Sequence, residues 1–299
     1  MTIFRCGFDE GKIGEFMATY YPVNPELLGA APYELMQCAA CSLVYQRFAG
    51  CDRLLVELYS QWIVDHSRPE EDAAYQADVS DPLRSRDGHE ILVAADFLRT
   101  SPERMTVLDF GMGWGLWARI ALQLGCRSYG YELSEKRVAF AKSHGVEPLR
   151  AEELGAPMFD FINAEQVMEH LRDLRDTAEV LARSLRPRGI LKVSVPNAER
   201  APAIAAELKA GRSKGTLEQL MPVHPLEHVN SFSRRSLEVL SEELGLHVVR
   251  PGLTQRYAFL KRRGSIALSN PRRTFKELVR PVYQYHNRRN IYLWMQKDG

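Results

Sequence analysis

Residues 107–125, VLDFGMGWGLWARIALQLG, pass from an apolar run through three glycines into a second apolar run with helical spacing. Gly111, Gly113 and Gly115 lack Cβ atoms, so the chain can turn sharply from strand to helix and a ligand can lie against bare backbone. Gly113, Gly115 and Ala118 also satisfy the G-x-G-x-x-G/A spacing of dinucleotide-binding turns. Asp109 breaks the apolar strand two residues before Gly111. Glu132 closes the next apolar run, YGYEL, roughly 20 residues downstream, where an acid accepts hydrogen bonds from ribose hydroxyls. This set suits the seating of an adenosine-containing cofactor; an Asp109 that only caps the turn is the alternative.

A second constellation lies in MQCAACSLVYQRF, where Cys38 and Cys41 have the spacing of a metal-binding knuckle. Its partner should be another such pair, and the candidate is Cys6 with Asp9. Zinc would then be held by three cysteines and Asp9, or with Cys51 as the rescuing ligand, or the ribbon keeps its shape without metal. Five cysteines, an odd number in a chain that shows no export signal, argue for reduced thiols or metal ligation over disulfides. Cys126 reads as a small buried hydrophobe.

The elements that must position these residues follow from apolar periodicity. Strands are expected at MTVLDF, RSYGYEL, FDFINA, GILKVSV, LHVVRP and IYLWMQK, and helices near 115–124, 134–144, 174–185 and 233–244. Ser134 and Ser233 stand as N-caps, and Gly145 and Gly245 as C-terminal stops. Upstream, CDRLLVELYSQWI and HEILVAADFL look helical. Strands alternating with helices predict an α/β fold with a parallel sheet.

The chain has 299 residues, a formal charge of +1, 45% hydrophobic and 26% charged residues, which excludes disordered, fibrous and disulfide-framework classes. MTIFRCGFDEGK lacks the basic and apolar stretches of a secretion signal, and no window has the length to cross a bilayer, so a cytoplasmic protein is expected. Acids prevail between Asp65 and Glu90, and bases from Arg256 onward. That basic end is better read as a solvated surface than as a nucleic-acid groove, since it lacks interleaved aromatics.

Asp109, Gly111, Gly113 and Gly115 read acid-x-Gly-x-Gly-x-Gly, and in this the sequence resembles the Rossmann-like, class I S-adenosylmethionine-dependent methyltransferases. The resemblance runs in order from about 105 to 250. FDFINAEQVMEHL resembles the fourth-strand motif, LRPRGILKVSVPN the fifth, and HPLEHVNSFSRRSLEVLSEELGL the stretch before the sixth. It implies a seven-stranded, mostly parallel sheet with helices on both faces, and S-adenosylmethionine as cofactor. It also implies cofactor contacts at Asp109, Phe110, Gly111, Met112, Gly113, Gly115, Glu132, Leu133, Asn163, Ala164 and Gln166. After the third strand, Glu152 is favoured over Glu153 near adenine. A sulfonium methyl is already activated, so the step needs alignment and removal of the acceptor's proton, without metal.

The implied organisation is a zinc-ribbon-like segment at 1–55, a helical linker or cap at 56–104, and a methyltransferase domain at 105–299. That domain carries an insertion at 198–228 and a basic excursion at 256–289. A ribbon followed by such a domain is similar to sugar and natural-product methyltransferases, in which a Glu-His pair serves as acid and base. Glu227-His228 matches the pair, although Pro225 stands where those enzymes carry a tyrosine. The insertion leaves the fifth strand at Asn197, so it starts at the edge where the methyl should point and can wall the acceptor pocket. A neighbouring carboxylate can orient the imidazole and stabilise its charged form; His170 reads as structural. The expected acceptor is a small molecule, anionic or sugar-nucleotide-linked. An RNA methyltransferase, a nicotinamide-dependent oxidoreductase and an inactive cofactor-binding relic are the alternatives.

Overall fold

In chain order the elements are β1 (Thr2–Cys6), α1 (Gly11–Tyr20), β2 (Tyr33–Gln37), β3 (Val44–Gln46), α2 (Ala73–Ser80), α3 (Arg86–Phe97), β4 (Thr106–Phe110) and α4 (Leu116–Gln123). They continue with β5 (Arg127–Tyr131), α5 (Glu135–Ser143), β6 (Glu147–Pro148), β7 (Phe159–Glu165), α6 (Leu174–Ser184), β8 (Leu185–Pro196), α7 (Ala201–Lys209) and α8 (Leu217–Leu220). The last are β9 (Asn230–Ser231), α9 (Arg234–Glu243), β10 (Leu246–Val249), α10 (Leu253–Arg256), α11 (Phe259–Arg262), α12 (Pro271–Tyr283) and β11 (Asn290–Lys297). The structure is a computed structural model that describes residues 1–20, 28, 31–50, 53–54, 58, 69–156, 158–262, 271–283 and 289–299.

Seven strands form one sheet in the order β10-β11-β8-β7-β4-β5-β6. All neighbours are parallel except β11, which runs antiparallel to both β8 and β10. The period-2 pleat sends alternate residues to opposite faces. Leu108, Ile162 and Leu191 therefore meet Leu181 and Leu237 on one face, while Val107, Phe161 and Ile190 meet Ile91, Ile120 and Phe259 on the other. Helices cover both faces, as expected for strands with no polar side. Successive strands β4, β5 and β6 run one way from the centre, and β7 and β8 the other. The crevice where that order reverses lies between the carboxyl ends of β4 and β7.

Helix ends follow local chemistry. The Ser233 hydroxyl accepts from the Ser236 amide at 3.2 Å, and Gly145 and Gly245 take left-handed φ of +89° and +66° at the helix stops. Ser134 departs from expectation: its side chain caps nothing, and its amide donates to Glu132 at 2.9 Å.

The amino-terminal region is completed by residues from outside 1–55. Its sheet, β1-β2-β3-β9, is antiparallel and takes its fourth strand from beyond the insertion. Phe16, Tyr33, Leu35 and Val44 share one core with Ala201, Ile204, Leu220, Val223 and Leu226. A three-stranded ribbon with one apolar face cannot cover itself. Helix α1 and residues 198–228 supply the cover, so the insertion and the amino-terminal layer are a single packing unit. The expected helix at 51–63 lies mostly outside the described residues, as does Cys51.

Candidate active site

Beyond Phe110 the chain turns through Gly111, Gly113 and Gly115, with φ of +74°, +54° and +76°. A Cβ on Gly111 would lie 2.3 Å from Cγ2 of Val167, so that position packs against the turn after β7. A Cβ on Gly113 would meet nothing within 4 Å. The backbone there faces open space, the cradle a cofactor needs. Met112 is buried and its sulfur fills the place of a Cβ on Gly130, so only its backbone can face a ligand.

Glu132 sits one residue past β5 and binds the turn to it. Its Oε2 accepts from Gly113 N at 3.0 Å, and its Oε1 from the amides of Leu133 and Ser134, both at 2.9 Å. Three of the roughly four acceptor sites of a carboxylate are thus used within the chain. Phe110 and Tyr131 stack at 4.9 Å, and Leu133 is 82% exposed on the same rim. Glu152 is exposed, and its charge is among those raising the Tyr131 hydroxyl, which places it on that rim too. Glu153 instead folds back to accept from Arg150 N at 2.8 Å.

Below the rim lies a buried charge network. Asp109 accepts from Asn163 Nδ2 at 2.8 Å, and burial pushes its carboxyl up to about 7. Lys192 Nζ donates to Asn163 Oδ1 at 2.8 Å and to Glu165 Oε2 at 2.6 Å, and lies 3.4 Å from Glu90. Arg86 bonds the other Glu165 oxygen, and Trp117 Nε1 donates to Glu90 at 3.1 Å. Lys192 and Arg86 overcome burial at Glu165 and hold it down at about 2. The side chain of Asn163 is committed at both ends and that of Ala164 is in the core, so any cofactor contact from these two is through backbone. Gln166 takes a left-handed φ of +55° at the end of β7, with its amide donating to Ser194 O at 2.8 Å. Such backbone strain in a residue with a side chain collects at functional sites.

The signal for the unforeseen members was a lysine inside the apolar strand GILKVSV. Arg86 and Glu90 lie on an upstream helix whose spacing says nothing of its partner.

The Glu227-His228 loop is held from the amino-terminal sheet. Gln46 Nε2 donates to the carbonyls of His224 and His228, each at 3.0 Å, and the Tyr33 hydroxyl donates to Val223 O. The imidazoles of His170 and His224 lie 5.2 and 5.5 Å from that of His228. The expectation that Glu227 steadies a charged His228 meets a different geometry. Glu227 Oε1 lies 3.8 Å from His224 Nε2, and burial together with the two neighbouring imidazoles holds His228 well below the ordinary histidine value. Burial also lifts Glu227 to about 7.

The proposed zinc set does not assemble. Cys6 pairs with Tyr33, whereas Cys38 follows Gln37, which bonds Met1 at the far end of the same strand pair. Five residues of strand separate them by roughly 15 Å. Cys6, Cys38 and Cys41 are free thiols. Among the described residues, three ligand-bearing side chains converge within 4.8 Å only at Glu169, His170 and His228.

Residues 85–250, more than half of the chain, match the family described as Methyltransferase domain. The chain belongs to this family. The central sheet of the methyltransferase domain departs from the six-stranded 3-2-1-4-5-6 order of nicotinamide-binding folds by the antiparallel β11 between β8 and β10. The chain is similar to the ubiquinone biosynthesis O-methyltransferase of Caulobacter vibrioides, with 33% identity over 32% of this chain and 42% of that one. A protein of the same name from Rhizobium etli shows 28% identity over 46% of this chain and 61% of its own length. The chain thus spans about half the length of the curated relatives it matches. A putative methyltransferase from Bacillus halodurans C-125 superposes with a TM-score of 0.45 at 14% identity, over 70% of this chain and 99% of that one. No described helix is long and apolar enough to cross a membrane.

Proposed function

We propose that the protein transfers a methyl group from S-adenosylmethionine to a heteroatom or carbon of a small-molecule acceptor. The observation that carries this reading is the pairing of Glu132, just past the end of β5, with the Gly113 amide of the β4 turn beside the topological switch point, with open space over Gly113. The residues present fit the cofactor: the glycine turn offers bare backbone, Glu132 offers ribose acceptors, and Glu152 with Leu133 and Tyr131 form the adenine-side rim. S-adenosylmethionine, when bound, supplies a methyl group already activated by its sulfonium.

The chain's own residues then orient, exclude water and receive a proton. The Asp109–Asn163–Lys192 chain fixes the ends of β4, β7 and β8, so the cradle is held by buried side chains rather than by a loose loop. The insertion and amino-terminal sheet bring Glu227 and His228 to the turn after β7, where Val167 packs on Gly111. This pair serves as the group that removes the acceptor's proton. Oxygen acceptors are favoured by the O-methyltransferase names of the relatives, and a sugar-linked or anionic metabolite remains the candidate class.

The test supplies the purified protein with cofactor bearing an isotopically labelled methyl group and a small-molecule extract. A small product heavier by one labelled methyl group is expected. Label that appears only in RNA would transfer the reading to a nucleic-acid acceptor, and bound cofactor with no labelled product would make the chain a relic.

A further inference from the structure

We propose that Glu169, His170 and His228 bind a divalent cation of the zinc class, with one coordination position left for an oxygen of the acceptor. Their ligand atoms already lie within 4.8 Å of one another without an ion. Ligands placed about 2.0–2.2 Å from a tetrahedral ion stand roughly 3.4 Å apart, so the cluster needs only a small inward movement of side chains. Two imidazoles and one carboxylate are a donor set that zinc uses where it keeps a position open for substrate.

Glu169 supplies the independent observation. It is 1% exposed, and neither carboxylate oxygen has a hydrogen-bond partner. A buried carboxyl in that condition carries a desolvation cost without compensation, and its Oε1 points toward His170 Nε2 at 3.9 Å. A cation between them removes the cost.

His170 is oriented as a ligand is. His170 Nδ1 donates to the carbonyl of Glu227 at 2.8 Å, which puts the lone pair on Nε2, the nitrogen facing Glu169. His228 contributes a ring nitrogen to the same cluster. A backbone carbonyl behind a metal-bound imidazole fixes its tautomer and direction. Asn230 Nδ2 donates to Leu171 O at 2.6 Å and to Met168 O at 3.3 Å, clamping the strand after His228 to the turn that carries Glu169.

The acceptor role of this cation rests on the methyltransferase reading; its binding does not. A cation here holds an acceptor oxygen and lowers the pKa of its hydroxyl, so that of the Glu227–His228 pair the histidine acts on the proton through the ion and the carboxylate takes it.

Titration of the metal-stripped full chain with Co2+, followed by visible absorption, tests the site. Cys38→Ser/Cys41→Ser serves as background, since that thiol pair is the competing soft donor. One saturable equivalent is expected in the parent and in the cysteine background. Affinity should fall by more than ~100-fold in Glu169→Gln and His228→Gln, beyond what loss of an outer-sphere partner costs. Circular dichroism and S-adenosylmethionine affinity on the same samples show whether those variants remain folded. Absence of saturable Co2+ binding in the folded parent overturns the proposal. So does a signal that survives in folded Glu169→Gln and His228→Gln, or one that vanishes with the cysteines. Failure of the methyltransferase reading would appear separately, as absence of cofactor binding with Co2+ binding intact.

Discussion

The side-chain amide of Gln46 donates to the carbonyl of His228 at 3.0 Å, so a residue from the third strand of the chain holds a loop nearly two hundred residues away. The same amide reaches His224 O at 3.0 Å. Replacing it by Gln46→Leu leaves two carbonyls without that donor, at a cost of about 1–3 kcal/mol. The urea midpoint should fall accordingly, and turnover should fall with it, because the loop carries Glu227 and His228. Unchanged turnover would separate the amino-terminal sheet from the site.

Lys192 is fully buried between Glu90, Glu165 and Asn163. Lys192→Met takes the cation from buried Glu90 and half-buried Glu165, and breaking a buried pair on one side costs about 3–5 kcal/mol. Chemical denaturation is the measurement. A loss below about 1 kcal/mol would mean that Arg86 alone suffices for Glu165.

Asp109 titrates in the folded chain at about 7, raised by burial from 3.8. Between those values the folded state binds the proton and the unfolded state does not, so stability falls as pH rises through this window. Asp109→Asn should flatten that fall by up to about 1.4 kcal/mol per pH unit between pH 4 and 7, read from denaturation midpoints against the parent. Parallel pH profiles for the two proteins would show that Asp109 is already ionised when folded.

Glu227→Gln and His228→Ala should each lower turnover by ~10²- to 10⁴-fold, the usual worth of a positioned proton-transfer group. S-adenosylmethionine affinity should stay near that of the parent. A comparable loss of cofactor affinity would make the loop part of the cofactor seat.

Much of the methyltransferase domain was legible because its strands are buried on both faces and its helices end at serines and glycines. Asp109, the glycine turn and Glu132 were legible for the same reason: carboxylates and bare backbone stand at fixed distances along the chain. The amino-terminal region was not. Cys38-x-x-Cys41 specifies a turn, but the register of β1 on β2 decides where Cys6 lies, and register comes from the apolar face that β9 and the insertion complete. The partners of Lys192 were hidden likewise, since Glu90 and Glu165 meet it only once three separate elements pack. His170 looked structural from sequence, and its neighbours Glu169 and His228 emerge only from the closure of the insertion over β7.

Calorimetric titration of the parent and of Glu132→Ala with S-adenosylmethionine, and of the parent with NAD, bears most directly on the cofactor cradle. The parent should bind one equivalent of S-adenosylmethionine and bind NAD far more weakly. Loss of the charged hydrogen bonds of Glu132 should weaken S-adenosylmethionine by about 1.5–3 kcal/mol. A parent that binds NAD as tightly as S-adenosylmethionine, or a Glu132→Ala variant that matches the parent, would contradict the assignment of this turn.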